Sequence, residues 1–504
     1  MDTGWKPVLP KDKKLYDKLL KIVTSLGTPR VLLVGDFMLD IYTYGDALRI
    51  SPEAPVPVLK VTSTEYRPGG ASSVAADLAA LRAQAFCIGI IGNDENGRIL
   101  KEKLSQIGVC VDGLLVVDDR PTISKQRLIG LAQHRHKQQL YRLDNEITES
   151  LSEELAEQIL KIYSQELANT DIVCLQDYNK GVLTDNICTE LIRLAKQAGK
   201  KVLIDPSLTA NYSKYTSATA ITPNRQEASV AVGFELKKEQ DYEQAAQKII
   251  ANLKLEAVII TLDKEGAYLK TQTQGEMVPT RPKNVYDVTG AGDVVLATIA
   301  AALASGCDYK SAVQLANITG GIEVEKFGVA TVTIEEIINE IIGQRGKTGK
   351  VRTIEELGPE LNWQRSQNRK IVFTNGCFDV LHRGHIEYLK FCKEQGDILV
   401  VGLNSDNSVR TIKGKGRPIN NQYDREAVLA ALETVDYIVV FDEPDPLELI
   451  KQVKPDILIK GKDWEKKGAV GGDFVKSCGG QVVFAPLVEG LSSTKTINRI
   501  KSLS

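Results

Sequence analysis

The chain has 504 residues, 43% of them hydrophobic and 25% charged, and its 63 Lys and Arg against 65 Asp and Glu leave a net charge of -2. That length exceeds what a single hydrophobic core organises, so two or more domains are expected. The balanced charge supplies no global field for nucleic acid or an anionic membrane, and any anion binding has to come from local sites. Eight cysteines are scattered without a CxxC pair, which fits reduced thiols. No signal-peptide core stands near the start, and no apolar run reaches the ~18 residues of a membrane span. A soluble, cytoplasmic, multidomain protein is expected.

From residue 30 to about 335, short apolar runs alternate with helical stretches. "RVLLVGDFMLD", "AFCIGIIG", "DIVCLQD", "KVLIDP", "ATAITPN" and "EAVIITLD" each end in a polar or glycine-bearing tail. Such runs predict strands of a parallel sheet covered by helices on both faces. Residues 41–68, rich in β-branched residues and proline, predict an extended flap instead. Residues 346–369 are polar and basic and predict a linker, with a short helix near Ile354–Leu357. Gly346-Lys347-Thr348 ends like a phosphate-cradling P-loop, but Ile341 stands where its first glycine belongs. From residue 371 the strand signals return in "IVFTNG", "DILVVGLNSD", "DYIVVF", "DILIKG" and "QVVFAP". The expected division is therefore 1–345, a linker 346–369, and 370–504.

Two stretches carry chemistry. In "DVTGAGD", Gly290, Ala291 and Gly292 open an alanine-rich helix. Free main-chain N–H groups and the helix dipole there favour a phosphoryl group. Asp293, at the edge of that nest, is placed to take a proton from an attacking hydroxyl. Read alone, the glycines equally allow close helix–sheet packing. The second stretch is "TNGCFDVLHRGHIEYLK", which holds His382 and His385, two of only four histidines in the chain. At the start of a helix, positions i and i+3 share a face, so both imidazoles meet whatever binds above the strand ends. Their N–H groups suit the charge on a pentacoordinate phosphorus. The spacing also permits a metal, although no matching ligand motif follows.

Around these motifs, residues 30 to 335 resemble the ribokinase-like (PfkB) sugar kinases. "GDFMLD" resembles their first strand with a sugar-binding aspartate at Asp40, and "RPGGASSVA" their di-glycine at Gly69 and Gly70. "TPNRQE" resembles the NxxE element, which implies ATP and phosphate roles for Asn224, Arg225, Gln226 and Glu227, with Glu227 acting on Mg2+ through water. "TLDKEG" resembles the nucleotide-side turn with Thr261 and Gly266. By this resemblance Asp293 is the catalytic base and Gly290–Gly292 the anion hole. The sequence departs from the family at Ser73, where asparagine is usual, and at Ser207, where close relatives carry lysine.

Residues 371–500 resemble the HxGH nucleotidyltransferase superfamily. The implied catalytic pair is His382 and His385. Asn375, Gly376, Phe378, Asp379, Lys393, Arg417, Arg425 and Lys460 fall among its nucleotide and phosphate positions, as do Ser492, Ser493 and Thr494 in "GLSSTKTI". The fold implied is α/β throughout, a ribokinase-like domain with a β-flap followed by a Rossmann-like domain.

"RISPEAPVPVLKV", "DYNKGVL" and "NSDNSVRTIKGKGRPIN" stand in the order found in a family of bifunctional heptose-phosphate kinase–adenylyltransferases. That resemblance implies ATP-dependent phosphorylation of heptose 7-phosphate at C1, removal of the 7-phosphate by a separate phosphatase, and formation of ADP-heptose. It also implies Mg2+, ATP as substrate, a monovalent cation such as K+, sugar phosphates as the only other partners, and a homodimer paired through the flap. Two readings stay open. The kinase half could be a scaffold or sensor, or both halves could act on another sugar or polyol phosphate with CTP, since none of the quoted residues reads the base.

Overall fold

The computed structural model describes residues 11–130, 138–280, 290–326, 328–346, 350–414 and 416–486. It forms two compact units. One runs from Ile22 to Ile341, and the other runs from Ile342 onward and takes in the described residues before Ile22, which the sequence reading had placed with the first half.

In the first unit the described strands begin with β1 (Arg30–Gly35), β2 (Phe37–Ile50), β3 (Pro57–Gly70), β4 (Gln84–Gly92), β5 (Cys110–Val117), β6 (Ile123–Gly130) and β7 (Gln138–Asn145). They continue with β8 (Ile172–Gln176), β9 (Lys201–Asp205), β10 (Ala220–Ile221), β11 (Ala257–Thr261), β12 (Gly266–Thr271) and β13 (Gly275–Pro279). The main sheet has the order β13-β12-β11-β10-β9-β8-β1-β4-β5. It is parallel from β11 to β5, and the hairpin β12–β13 extends it antiparallel at one edge. Leu32, Leu33 and Val34 are all fully buried, because helices cover both faces and alternation is lost. The flap is a separate sheet, β3-β2-β6-β7, as the β-branched run at 41–68 had indicated.

The carboxyl ends of β1, β8 and β9 lie side by side, with Asp36, Gln176 and Asp205 at or just beyond them. A crevice outside such ends is where open α/β sheets place ligands. The helix Ala291–Ala304 aims its amino end there and is buried along nearly its whole length. An all-round apolar helix has to be internal, and its alanines let the helix Tyr309–Glu323 pack closely against it.

The second unit is built on β14 (Val351–Arg352), β15 (Ile371–Gly376), β16 (Ile398–Asn404), β17 (Tyr437–Phe441), β18 (Ile457–Gly461) and β19 (Gln481–Ala485). Their order is β14-β17-β16-β15-β18-β19, and every pairing is parallel. Most of the expected linker belongs to this unit. Val351 and Arg352 pair with Ile438 and Val439. Thr353 and Glu356 form a capping box that starts the helix Ile354–Ser366, and Leu357 and Leu361 enter the core beside Ile371 and Phe373. Lys347 and Thr348 of the P-loop-like stretch lie outside the described residues. Among the described residues no helix is long and apolar enough to cross a membrane.

Candidate functional site

In the first unit Gly290 caps the helix Ala291–Ala304 with φ 98°, a left-handed conformation that glycine adopts without a steric penalty. A Cβ at Gly290 would meet Glu323 Oε1 at 2.5 Å. The first-turn N–H groups of Ala291 and Gly292 have no intrahelical acceptor, and both residues are accessible while Asp293 is buried. Gly290, Ala291 and Gly292 thus stand at the open start of this helix, with Asp293 next to them.

Asp293 is held by groups at the carboxyl end of β8 and just beyond it. Its Oδ1 accepts from Gln176 Nε2 at 3.0 Å and from the Tyr178 phenol at 2.9 Å. Gln176 Nε2 also donates to Asp205 Oδ2 at 2.8 Å, which ties the two carboxylates together. Tyr178 is itself positioned by Asp36, whose Oδ2 accepts the backbone N–H of Tyr178 at 2.9 Å and of Lys180 at 3.0 Å. Burial, with Asp205 nearby, raises Asp293 to about 8, and the Tyr178 phenol pulls it down. A buried acid poised near neutrality is suited to proton transfer. Gln176, Tyr178 and Asp205 join the candidate site around Asp293 although the sequence reading did not include them among its site residues; the polar ends of "DIVCLQD" and "KVLIDP" were the available signal.

Asp40 lies on the flap, where its Oδ1 pairs with Arg127 at 2.7 Å. A Cβ at Gly69 would come within 2.8 Å of Asp40 Oδ2, so the di-glycine lets main chain lie against this carboxylate. Asn224 caps the helix Arg225–Val232 in a reciprocal box with Glu227. Burial first, then Asp205, raise Glu227 to about 8. Thr261 ends β11, and Gln226 is exposed beside the box. Gly266, at φ 102°, serves the tight turn into β12, where a side chain would strike Val278 O. Arg225 corrects the expectation of a phosphate contact, since its guanidinium is held by Glu265, Tyr242 and the carbonyls of Leu236 and Leu262. Ser207 is buried against the Tyr215 hydroxyl, and Ser73 is buried near Asp293.

In the second unit His382 is the N-cap of the helix Arg383–Glu394 and His385 sits in its first turn. Their rings stack with centroids 4.0 Å apart, and His385 also meets Phe378 at 5.5 Å. Phe378 is buried and holds φ 44°, an uncommon backbone state for a bulky residue. Each Nδ1 is buried without an acceptor among the described residues. Burial, and then His382, lower His385 to about 4, so without an anion the pair rests with His385 neutral. Lys460 at the end of β18 donates to Asn375 Oδ1 at the end of the neighbouring strand β15. Burial lowers Lys460 to about 8. Gly376 gives the Phe378 ring room, since a Cβ there would stand 3.0 Å from it.

Other positions in this unit need correction. Arg425 is buried, and its guanidinium donates to the carbonyls of Asn420, Cys377 and Asn404 and to Asp406 Oδ1. It braces the loops around the site and is not presented to a phosphate. Lys393 binds Asp436 and the carbonyl of Asp397, which precede β17 and β16. It therefore lies at the amino ends of the strands, whereas the histidines follow the carboxyl end of β15. Asp379 is likewise structural: it accepts from Arg417 Nε and from the backbone N–H groups of Ile419 and Asn420. This fixes the loop that carries Arg417. Ser492, Ser493 and Thr494 lie outside the described residues.

The pfkB family carbohydrate kinase profile matches residues 28–336, and the cytidylyltransferase-like profile matches residues 373–498. The "Bifunctional protein HldE" of Sulfurimonas denitrificans is 40% identical over 484 residues, covering 96% of this chain and 99% of its own length. The protein of the same name from Alcanivorax borkumensis is 43% identical over 481 residues, covering 95% and 98%. Among solved structures, phosphofructokinase-2 from Escherichia coli in complex with potassium superposes with a TM-score of 0.53 at 21% identity, covering 63% of this chain and 99% of that one. Arabidopsis thaliana ribokinase complexed with ribose and ATP gives 0.50 at 20% identity, covering 62% and 99%. The last two likenesses concern the fold.

Proposed function

The chain belongs to the family of bifunctional HldE proteins, a carbohydrate kinase joined to a nucleotidyltransferase, and from that premise we propose a pair of activities for its two units. The first transfers the γ-phosphoryl group of ATP to the C1 hydroxyl of D-glycero-β-D-manno-heptose 7-phosphate. The second adenylylates heptose 1-phosphate, giving ADP-heptose and pyrophosphate.

The observation that carries the kinase assignment is the buried Asp293 at the rim of the Gly290–Gly292 nest, one oxygen anchored by Gln176 and Tyr178. The other oxygen takes the proton of the C1 hydroxyl as that oxygen bonds to the γ-phosphorus and the bond to the ADP oxygen breaks. Main-chain N–H groups of the nest receive the charge on the moving phosphoryl group. Glu227 lies close enough to Asp205 to be raised by it, and such a pair of acids would hold Mg2+ through water, where the ion's charge would be balanced. When bound, that ion neutralises phosphate charge. A monovalent cation such as K+ enters this reading by family resemblance.

In the second unit a phosphate oxygen of the sugar attacks the α-phosphorus of ATP, and the bond to pyrophosphate breaks. The stacked His382 and His385, together with Lys460 at the end of β18, supply donors for the charge at phosphorus. No covalent enzyme intermediate is needed. A cytoplasmic homodimer completes the proposal. Ile50, Val56, Val61, Tyr141 and Leu143 of the flap region are exposed, and a second copy would cover that apolar surface.

The test is direct. Purified full-length chain with Mg2+ and ATP is given heptose 7-phosphate and, separately, heptose 1-phosphate with ATP or CTP. Formation of the 1,7-bisphosphate and of ADP-heptose supports the assignment. Turnover with CTP in preference to ATP overturns the adenylyl assignment, and turnover in the second assay alone favours a non-catalytic first unit.

A further inference from the structure

The cations around the acceptor side of the kinase cleft are nearly all neutralised by protein groups. Arg127 pairs with Asp40, Arg142 with Asp144, Lys180 with Glu146 and Arg67 with Glu65. Lys125 is different. It sits on β6 next to Asp40 in the parallel register with β2, and next to Asp144 in the antiparallel register with β7. Its side chain makes no hydrogen bond or ion pair with the described residues. Instead its ammonium lies 4.9 Å from the centroid of the Tyr178 ring, and the Tyr178 phenol is bonded to Asp293. Lys125 and Arg127 are two apart on one strand, so both share the Asp40 face of the flap. Burial lowers Lys125, while Asp40 raises it.

A half-buried ammonium resting on an aromatic face, with nearby acids engaged by other cations, is an incomplete arrangement. Its missing element is an anion. Asp40 beside it is suited to sugar hydroxyls, and Asp293 beyond Tyr178 to the reacting hydroxyl. We propose that Lys125 receives the phosphate already carried by the acceptor sugar, at the end remote from the hydroxyl that reacts, and so selects phosphorylated over neutral sugars. This rests on the reading above that the first unit phosphorylates a sugar phosphate, and it assigns the flap a role in selectivity as well as enclosure.

The experiment compares kcat/KM of the full-length enzyme for heptose 7-phosphate and for the same heptose without phosphate, in wild type, Lys125→Met and Lys125→Arg. A charge-assisted hydrogen bond to a phosphate corresponds to roughly 10–100-fold in selectivity. Lys125→Met is expected to reduce the wild-type preference by that factor, mainly through KM for the phosphorylated acceptor, and Lys125→Arg to restore much of it. An unchanged preference ratio in Lys125→Met overturns the proposal. So does an equal loss with both acceptors, which would assign Lys125 to support of Tyr178. A wild-type enzyme inert toward both heptoses instead overturns the acceptor assignment on which the proposal stands.

Discussion

The Tyr178 phenol donates to Asp293 Oδ1 at 2.9 Å from the segment that follows β8, which leaves the other carboxylate oxygen as the one that can face an acceptor. The phenol favours the charged form of the acid, opposing the burial that raises it. Removing the hydroxyl in Tyr178→Phe therefore raises Asp293 further. The base has to be deprotonated to act, so the acidic limb of the pH profile of kcat/KM moves to higher pH. A profile with an unchanged acidic limb and a uniformly reduced rate would show that Tyr178 serves packing alone.

Asp293→Asn is expected to lower sugar phosphorylation by about 10²–10⁴-fold, while adenylyl transfer continues. It also carries a stability consequence. Asp293 keeps its proton in the folded state up to about 8, whereas its ordinary value is 3.8. Folding stability from this group is thus fully present below about 3.8 and is lost as pH rises through about 8. Asparagine removes that loss. Thermal unfolding of the first unit should show the variant gaining over wild type as pH rises from about 4 to about 8, and a pH-independent difference would contradict the raised Asp293.

His385→Ala should have the opposite selectivity, cutting adenylyl transfer by about 10²–10³-fold and sparing phosphorylation. Burial and the neighbouring His382 lower His385 to about 4, and the negative charge of a bound triphosphate acts in the opposite direction. NMR titration of the imidazoles should place His385 well below the usual histidine range without nucleotide and higher with ATP. A His385 resonance that titrates near 6.5 in both states would contradict the stacked, desolvated pair.

The parts of this molecule readable from sequence are those whose geometry is local. "GAGD" and "HRGH" each place their groups on a single helix start, so the order of residues already fixes which groups converge. Asp205, Gln176 and Tyr178 reach Asp293 only because β8 and β9 lie beside each other in the sheet, and no short stretch records that. The misplaced cations have a different cause. An arginine or lysine in the sequence does not reveal whether its charge faces a ligand or is already engaged by protein groups, and Arg225, Arg425 and Lys393 prove to be engaged. The stretch 346–369 reads as polar because Leu357 and Leu361 are few among charged neighbours, yet those two residues seat its helix in the core.

Arg425 separates a bracing role from a phosphate contact most sharply. Its guanidinium satisfies three backbone carbonyls and Asp406 while fully buried in a helix. Arg425→Met keeps the bulk of the side chain but leaves those acceptors orphaned, and breaking such a buried charged network costs about 3–5 kcal/mol. The second unit should then unfold several degrees earlier, and the loops carrying Cys377 and Asn420 should exchange amide hydrogens faster. KM for ATP should rise only as far as the folded fraction and loop order fall. Arg417→Met, on a residue that is partly accessible beside Asp379, makes the contrast: its cost should appear in nucleotide binding as well as in the loop it anchors. An Arg425→Met enzyme of wild-type stability with a selectively raised KM for ATP would return that residue to the phosphate site.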